Sequence, residues 1–225
     1  MPPAIPSPPP SPPPPAPLVE AVLFDYGGVL FPEDGDAFDA FAAPFGLAPG
    51  RLWAAYHDIP EHRLSRTGRI GPQEYLDAVA RDLARDLGPA RARELVHAFQ
   101  RARSLQSPID PAMDAVLARL RGHVRLGLLS NAGRGARERL DAAGVTARFD
   151  DTLCSAEVGL AKPDPEVFRL AASRLGVAPS ACAFVDDLPR NVDGARAVGM
   201  QAFLYARRRH DDLLAFLRSL GLSVP

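Results

Sequence analysis

Apolar positions along the chain follow two alternating rhythms. Short β-branched or leucine-rich runs predict strands at Leu18 to Phe24, Val124 to Leu129, Thr152 to Cys154, Ala181 to Val185 and Gln201 to Tyr205. Between the later runs, apolar residues recur at a spacing of about 3.6 and predict helices over Met113 to Leu120, Ala136 to Ala143, Pro165 to Leu175, Asn191 to Val198 and Asp211 to Leu220. Gly144, Gly176 and Gly199 follow three of these helices, where a left-handed cap is usual. Strands alternating with helices imply right-handed crossovers and a parallel sheet covered on both faces. The expected fold is therefore α/β, a doubly wound, Rossmann-like core with a five-stranded parallel sheet.

One interval breaks the alternation. From about Gly35 to Ser107 no run reads as a strand, while Phe38, Phe41, Phe45, Leu47, Leu52, Trp53 and Tyr56 fall at helical spacings, as do Tyr75, Leu76, Val79, Leu83, Leu87, Leu95, Val96 and Phe99. Roughly 70 residues is far too long for a strand-to-helix loop. The interval reads as an inserted helical domain over 33–107, its aromatic stripe forming a core of its own. It leaves from the carboxyl end of the first strand, which is where a lid over a site would be. The sheet domain then comprises 18–32 and 108–225, with Pro108 and Pro111 marking the return.

Residues 1–17 stand apart: 11 of the 24 prolines fall there. Such a stretch lacks backbone donors and apolar bulk, so it is expected to be an extended or disordered tail outside the fold. Without a basic start or a long apolar core it does not read as a secretory signal. Lys and Arg total 26 against 27 Asp and Glu, a net charge of −1, which gives no electrostatic reason to expect nucleic acid or a membrane surface as a partner. No apolar run is long enough to span a bilayer. Cys154 and Cys182 are the only cysteines, too few for a disulfide framework or a four-thiolate zinc site. They read as buried hydrophobes of a cytoplasmic protein. Arg207, Arg208, Arg209 and His210 read as a solvated turn.

The predicted strand ends carry the chemistry. In an open parallel sheet, ligands sit beyond the carboxyl ends of the strands. Those ends bear Asp25, then Ser130 and Asn131, then Asp186 and Asp187, and Lys162 arrives on the loop Gly159-Leu160-Ala161-Lys162-Pro163-Asp164. Acidic or hydroxyl groups at three separate strand ends, plus a lysine in a proline-flanked loop, are hard to assign to stability alone.

Four segments, Phe24-Asp25-Tyr26-Gly27-Gly28-Val29-Leu30, Leu129-Ser130-Asn131, Gly159 through Phe168, and Phe184-Val185-Asp186-Asp187 with Ala195 through Met200, resemble the motifs of the haloacid dehalogenase-like hydrolases in order and spacing. The resemblance covers everything after the tail, and the helical insertion is similar to the family's type-one cap. It implies Asp25 as nucleophile, forming an aspartyl-phosphate. It also implies Mg²⁺ as cofactor, held by the Asp25 carboxylate, the Gly27 carbonyl and Asp187, with Asp186 as an additional or water-mediated contact. Ser130 and the Asn131 amide would donate to phosphoryl oxygens, and Lys162 would balance charge and orient Asp25. Asn191 stands where many relatives have a second acid.

Gly27 departs from the pattern, since phosphatases of the family usually carry a second Asp there as general acid. Three readings stay open. The chain is a Mg²⁺-dependent phosphatase of a small phosphorylated metabolite, with a leaving group that needs little protonation, as in a sugar-1-phosphate, or with an acid drawn from His57, Glu61, His62, Glu33 or Asp34. Or it is a 2-haloacid dehalogenase, whose halide needs no proton. Or it is a catalytically weak relative that binds a phosphorylated ligand. Arg134 is a further candidate for an anionic group of the substrate. The partner expected is a small phosphorylated molecule, and the assembly a monomer or homodimer.

Overall fold

The computed structural model describes residues 18–32, 35–104 and 109–224, with the side chains of 103 and 104 left aside. The proline-rich tail, Glu33, Asp34 and Pro108 lie outside the described residues. Five strands form one parallel sheet: β1 Ala21–Phe24, β2 Arg125–Ser130, β3 Asp151–Cys154, β4 Cys182–Asp186 and β5 Gln201–Leu204, in the order β3-β2-β1-β4-β5. Each expected strand is present, with ends shifted by up to three residues. β1 begins at Ala21, where pairing with β2 and β4 starts, and Leu18 is 71% exposed. β4 runs on to include Asp186, where Tyr205 N donates to the Asp186 carbonyl at 2.9 Å.

The strand pattern sends side chains alternately to two cores. Val22, Phe24, Leu126 and Leu128 pack with α6 (Pro111–Leu120), α7 (Ala136–Ala142) and α11 (His210–Ser219). Ala21, Leu23, Leu129, Leu153 and Phe184 pack with α9 (Pro165–Arg174) and α10 (Pro189–Ala197). Burial of both faces accounts for the nearly continuous apolar reading of β1 and β4. Asp110 and Asp164 cap α6 and α9, accepting from the amides two residues on at 2.9 Å, each ahead of a proline in the first turn.

Between β1 and β2 the described residues are helical: α1 Gly35–Ala42, α2 Arg51–His57, α3 Pro60–Arg66, α4 Pro72–Leu87 and α5 Pro89–Ser104. Phe38, Leu52, Tyr56, Tyr75, Val79, Leu83, Leu95 and Phe99 bury one another in a third core. Phe41, Phe45 and Trp53 lean on it from outside, so the aromatic stripe is chiefly packing. α3 meets the sheet side at α8 (Ser155–Val158), where Ser155 Oγ donates to the Arg66 carbonyl at 2.5 Å. Gly68, at φ +69°, lies so close that an added Cβ would stand 2.4 Å from the Ala156 carbonyl oxygen. Cys154 and Cys182 are buried, and burial pushes both thiols up to about 11. Arg207 and Arg209 are turned outward onto Asp110 and Asp212. No described helix is long and apolar enough to cross a membrane.

Candidate active site

The strand order fixes where the chemistry collects. From β1 the chain moves outward through β2 to β3, then returns to the other side of β1 for β4 and β5. The reversal lies between β1 and β4, and ligands bind in the crevice at such a switch point. Asp25 follows β1 directly, its amide donating to the Val185 carbonyl at 2.9 Å, and Asp186 ends β4.

Lys162 joins them. Its ammonium lies 2.7 Å from Asp25 Oδ1 and 2.7 Å from Asp186 Oδ2, and the side chain is 1% exposed. Burial alone would push the lysine down, but the two carboxylates outweigh it and hold its pKa above the usual value. Asp25 Oδ1 also accepts from the Tyr26 amide at 2.7 Å. Both anchors fall on one oxygen, Oδ1.

Asp186 is fully buried and saturated. Its Oδ1 accepts from the Leu188 amide and Asn191 Nδ2, each at 2.9 Å, and its Oδ2 accepts from Lys162 and, at 3.0 Å, from Asn191 Nδ2. Asn191 is 2% exposed, and its Oδ1 has no hydrogen-bond partner among the described residues. The next residue, Asp187, is only partly buried and packs over Gly28. At Gly28, φ is +74° and a Cβ would stand 2.2 Å from Asp187 Oδ2, so backbone and space both demand glycine. Oxygens of Asp25, Asp186 and Asp187 lie within 4.8 Å of one another.

Burial, with Asp186 and Asp187 adding repulsion against the pull of Lys162, raises the pKa of Asp25 from 3.8 to about 7. The clustered carboxylate oxygens are a donor set that fits a hard divalent cation such as Mg²⁺. Gly27 lies beside it. Phe31 N donates to the Tyr26 carbonyl and Gly28 N to the Phe31 carbonyl, both at 2.8 Å, and this small bridge bypasses the Gly27 carbonyl.

Ser130, the last residue of β2, is 7% exposed. Asn131 has a task that its position in the sequence did not announce. Its Nδ2 donates to the Lys162 carbonyl at 2.9 Å and its Oδ1 accepts from the Lys162 amide at 2.8 Å. One amide hydrogen remains beyond that clamp.

Among the described candidates for proton donor, His57, Glu61 and His62 each have a partner of their own. His57 is stacked on Trp53, with Nδ1 2.9 Å from the Trp53 carbonyl. Glu61 faces Arg81 at 3.5 Å. His62 accepts from Arg66 Nε at 3.2 Å, and burial, then Arg66, His57 and Arg190, lower its pKa from 6.5 to about 3. A ring held neutral across the physiological range is no imidazolium donor. Glu33 and Asp34 lie outside the described residues. Arg134 is exposed on the loop after β2.

A parallel sheet with a buried lysine bridging two carboxylates at its switch point defines an α/β protein with its polar cluster on the strand ends. The chain belongs to the haloacid dehalogenase-like hydrolase family, whose model matches residues 19–199. It is 40% identical over 156 residues to a phosphoserine phosphatase of Thermus thermophilus, a match covering 67% of this chain and 61% of that protein. A phosphatase of Mycobacterium tuberculosis is 37% identical over 153 residues, with 66% and 68% covered. The fold is similar to that of a family enzyme from Bacteroides thetaiotaomicron solved with magnesium and inorganic phosphate, at TM-score 0.64 and 22% identity, with 82% of this chain and 93% of that one covered.

Proposed function

We propose that this chain is a Mg²⁺-dependent phosphatase that hydrolyses a small phosphomonoester through an aspartyl-phosphate on Asp25. The observation that carries this reading is Lys162 bridging Asp25 and Asp186 at 2.7 Å each, with Asp187 alongside. The likeness to two phosphatases supports it.

Asp25, Asp187 and the Gly27 carbonyl would hold the metal, while Asp186, with both oxygens engaged, keeps Lys162 in place. Bound there, Mg²⁺ would offset the charge of carboxylate and phosphate that otherwise repel. It would also favour ionised Asp25 against the burial that raises its pKa. The Asp25 carboxylate attacks phosphorus, and the leaving oxygen departs as the new bond forms. Lys162 fixes the carboxylate through Oδ1, and the Ser130 hydroxyl with the remaining Asn131 N–H donates to phosphoryl oxygens. Water then attacks phosphorus, releases phosphate and restores Asp25. The helical unit, 33–107, serves as the cap over this core of 18–32 and 108–225.

With Gly27 offering no acid, and His57, Glu61 and His62 engaged among the described residues, this reading has the leaving group depart with little protonation. A positioned general acid contributes on the order of 10² to 10⁴ in rate, so substrates with acidic leaving groups, such as anomeric or aryl phosphates, are favoured over simple alkyl phosphates. Phosphate release across esters of graded leaving-group pKa, with and without Mg²⁺, tests this. A steep, metal-dependent series is expected, and a series without metal dependence overturns the reading.

A further inference from the structure

Ser155 is the point at which the helical unit and the sheet domain share a hydroxyl. It follows β3 directly, opens α8 and is fully buried. Its Oγ accepts from the Ala132 amide at 3.0 Å and donates to the Arg66 carbonyl at 2.5 Å. Arg66 is the last residue of α3, so that carbonyl is one that a helix end leaves without an intrahelical partner. Ala132 stands on the loop that leaves β2, directly after Ser130 and Asn131, and its own carbonyl accepts from the Ala156 amide at 3.2 Å. One side chain thus ties the end of a helix in the inserted unit to the loop expected to hold the phosphoryl oxygens.

The neighbouring backbones leave little slack. A Cβ at Gly68 would stand 2.4 Å from the Ala156 carbonyl oxygen, and one at Gly133 would stand 2.8 Å from Oγ of the buried Ser65. The end of α3 therefore rests on α8 and on this loop at close contact. A serine hydroxyl has one proton to give. It lies on the Arg66 carbonyl at 2.5 Å rather than on the Ala132 carbonyl at 3.3 Å. Should the helical unit withdraw, the Ala132 carbonyl is in reach as a second acceptor, so no buried donor is orphaned. That turn swings the accepting lone pair away from the Ala132 amide, and the loop loses an anchor. The side chain of the adjacent Asn131 clamps the Lys162 backbone, so a shift at Ala132 reaches the lysine as well.

We propose that Ser155 is a positioning residue for phosphoryl transfer, seating the loop that carries Ser130 and Asn131 only while α3 is docked on α8. The inference rests on the phosphatase reading for what that loop holds. Ser155 touches no reacting atom and acts through Ala132. Alignment of the phosphoryl donors and docking of the helical unit then become one event, so that the donors are preorganised only in the docked arrangement.

The test compares Ser155→Ala with Gly68→Ala, which crowds the Ala156 carbonyl and forces α3 and α8 apart while leaving the Ser155 hydroxyl in place. Amide hydrogen exchange at Ala132, read by NMR on the full chain, reports the loop whether or not the chain turns over. Each substitution is expected to speed that exchange by about tenfold or more, the scale of one buried hydrogen bond. The double variant should add little to either alone. Hydrolysis of 4-nitrophenyl phosphate with Mg²⁺ should lose about tenfold or more in kcat in each variant, the loss falling on kcat more than on KM. Ser155→Cys, a weaker donor in the same place, should fall between wild type and Ser155→Ala. Thermal melts verify that each variant is folded. Wild-type exchange and kcat in Gly68→Ala overturn the coupling, as do effects that multiply in the double variant. A Ser155→Ala chain that melts lower yet keeps its kcat reduces the serine to a structural role and overturns it too. Coupled exchange in a chain whose wild type releases no phosphate sinks the phosphatase reading while the tie between α3 and the loop stands.

Discussion

Asn131 and Lys162 are tied in both directions, side chain to main chain: Asn131 Nδ2 donates to the Lys162 carbonyl at 2.9 Å and the Lys162 amide donates to Asn131 Oδ1 at 2.8 Å. The clamp locks the loop that carries the lysine against the end of β2. Breaking it leaves a part-buried donor and acceptor, worth about 1 to 3 kcal/mol. Asn131→Ala is expected to lower stability by that amount in urea melts and to lower kcat by more than about tenfold, since misplacement by about 1 Å can cost 10²-fold. Unchanged kcat would deny Asn131 both its hold on Lys162 and its contact with the phosphoryl group.

Lys162 is buried between two carboxylates, so removing it leaves charge without a partner. Lys162→Met is expected to destabilise by about 3 to 5 kcal/mol. The double variant Lys162→Met with Asp186→Leu should recover part of that loss, because the buried anion is gone too. A non-additive cycle of that sign in denaturant unfolding is the expected result. Strict additivity would deny the pair its electrostatic coupling.

Gly28 combines a left-handed backbone with a carboxylate resting on its Cα. Gly28→Ala is expected to cost about 1 to 2 kcal/mol for the backbone and to displace Asp187. Mg²⁺ affinity by calorimetry should weaken about 10- to 100-fold, as when a ligand loses its support. Unaltered affinity would remove Asp187 from the metal's ligands.

Two groups give the metal-free protein opposed pH dependences. Asp25 has its pKa raised from 3.8 to about 7, so its favourable contribution is complete below about pH 4 and is lost as pH rises through 7. His62 has its pKa lowered from 6.5 to about 3, so its contribution is present above pH 6.5 and is lost as pH falls toward 3. Urea melts in chelator should show Asp25→Asn gaining on wild type from pH 4 to 7, and His62→Asn gaining on wild type from pH 6.5 to 4. Differences that stay flat with pH would contradict both environments.

The sheet was legible because strands buried on both faces read as apolar runs, and three of them lead directly into the polar residues at the crevice. Asp25, Ser130, Asp186 and Asp187 could be named from that rule, and Lys162 from its proline-flanked loop. What it left out depends on contacts between segments far apart in the chain. Nothing in Gly27-Gly28 says which glycine Asp187 rests on. Nothing in Asn131 says that its amide faces the Lys162 backbone, 31 residues on. Asp186 and Asp187 are adjacent and chemically alike, and only burial separates the one bound to Lys162 from the one over Gly28.

The central claim, a metal-dependent nucleophile at Asp25, is tested most directly by phosphate release from 4-nitrophenyl phosphate with Mg²⁺ and with excess chelator, in wild type and in Asp25→Asn. Release that disappears on chelation, returns on adding Mg²⁺, and falls at least about 10³-fold in Asp25→Asn is the expected result. Release unaffected by the chelator or by the substitution would contradict it.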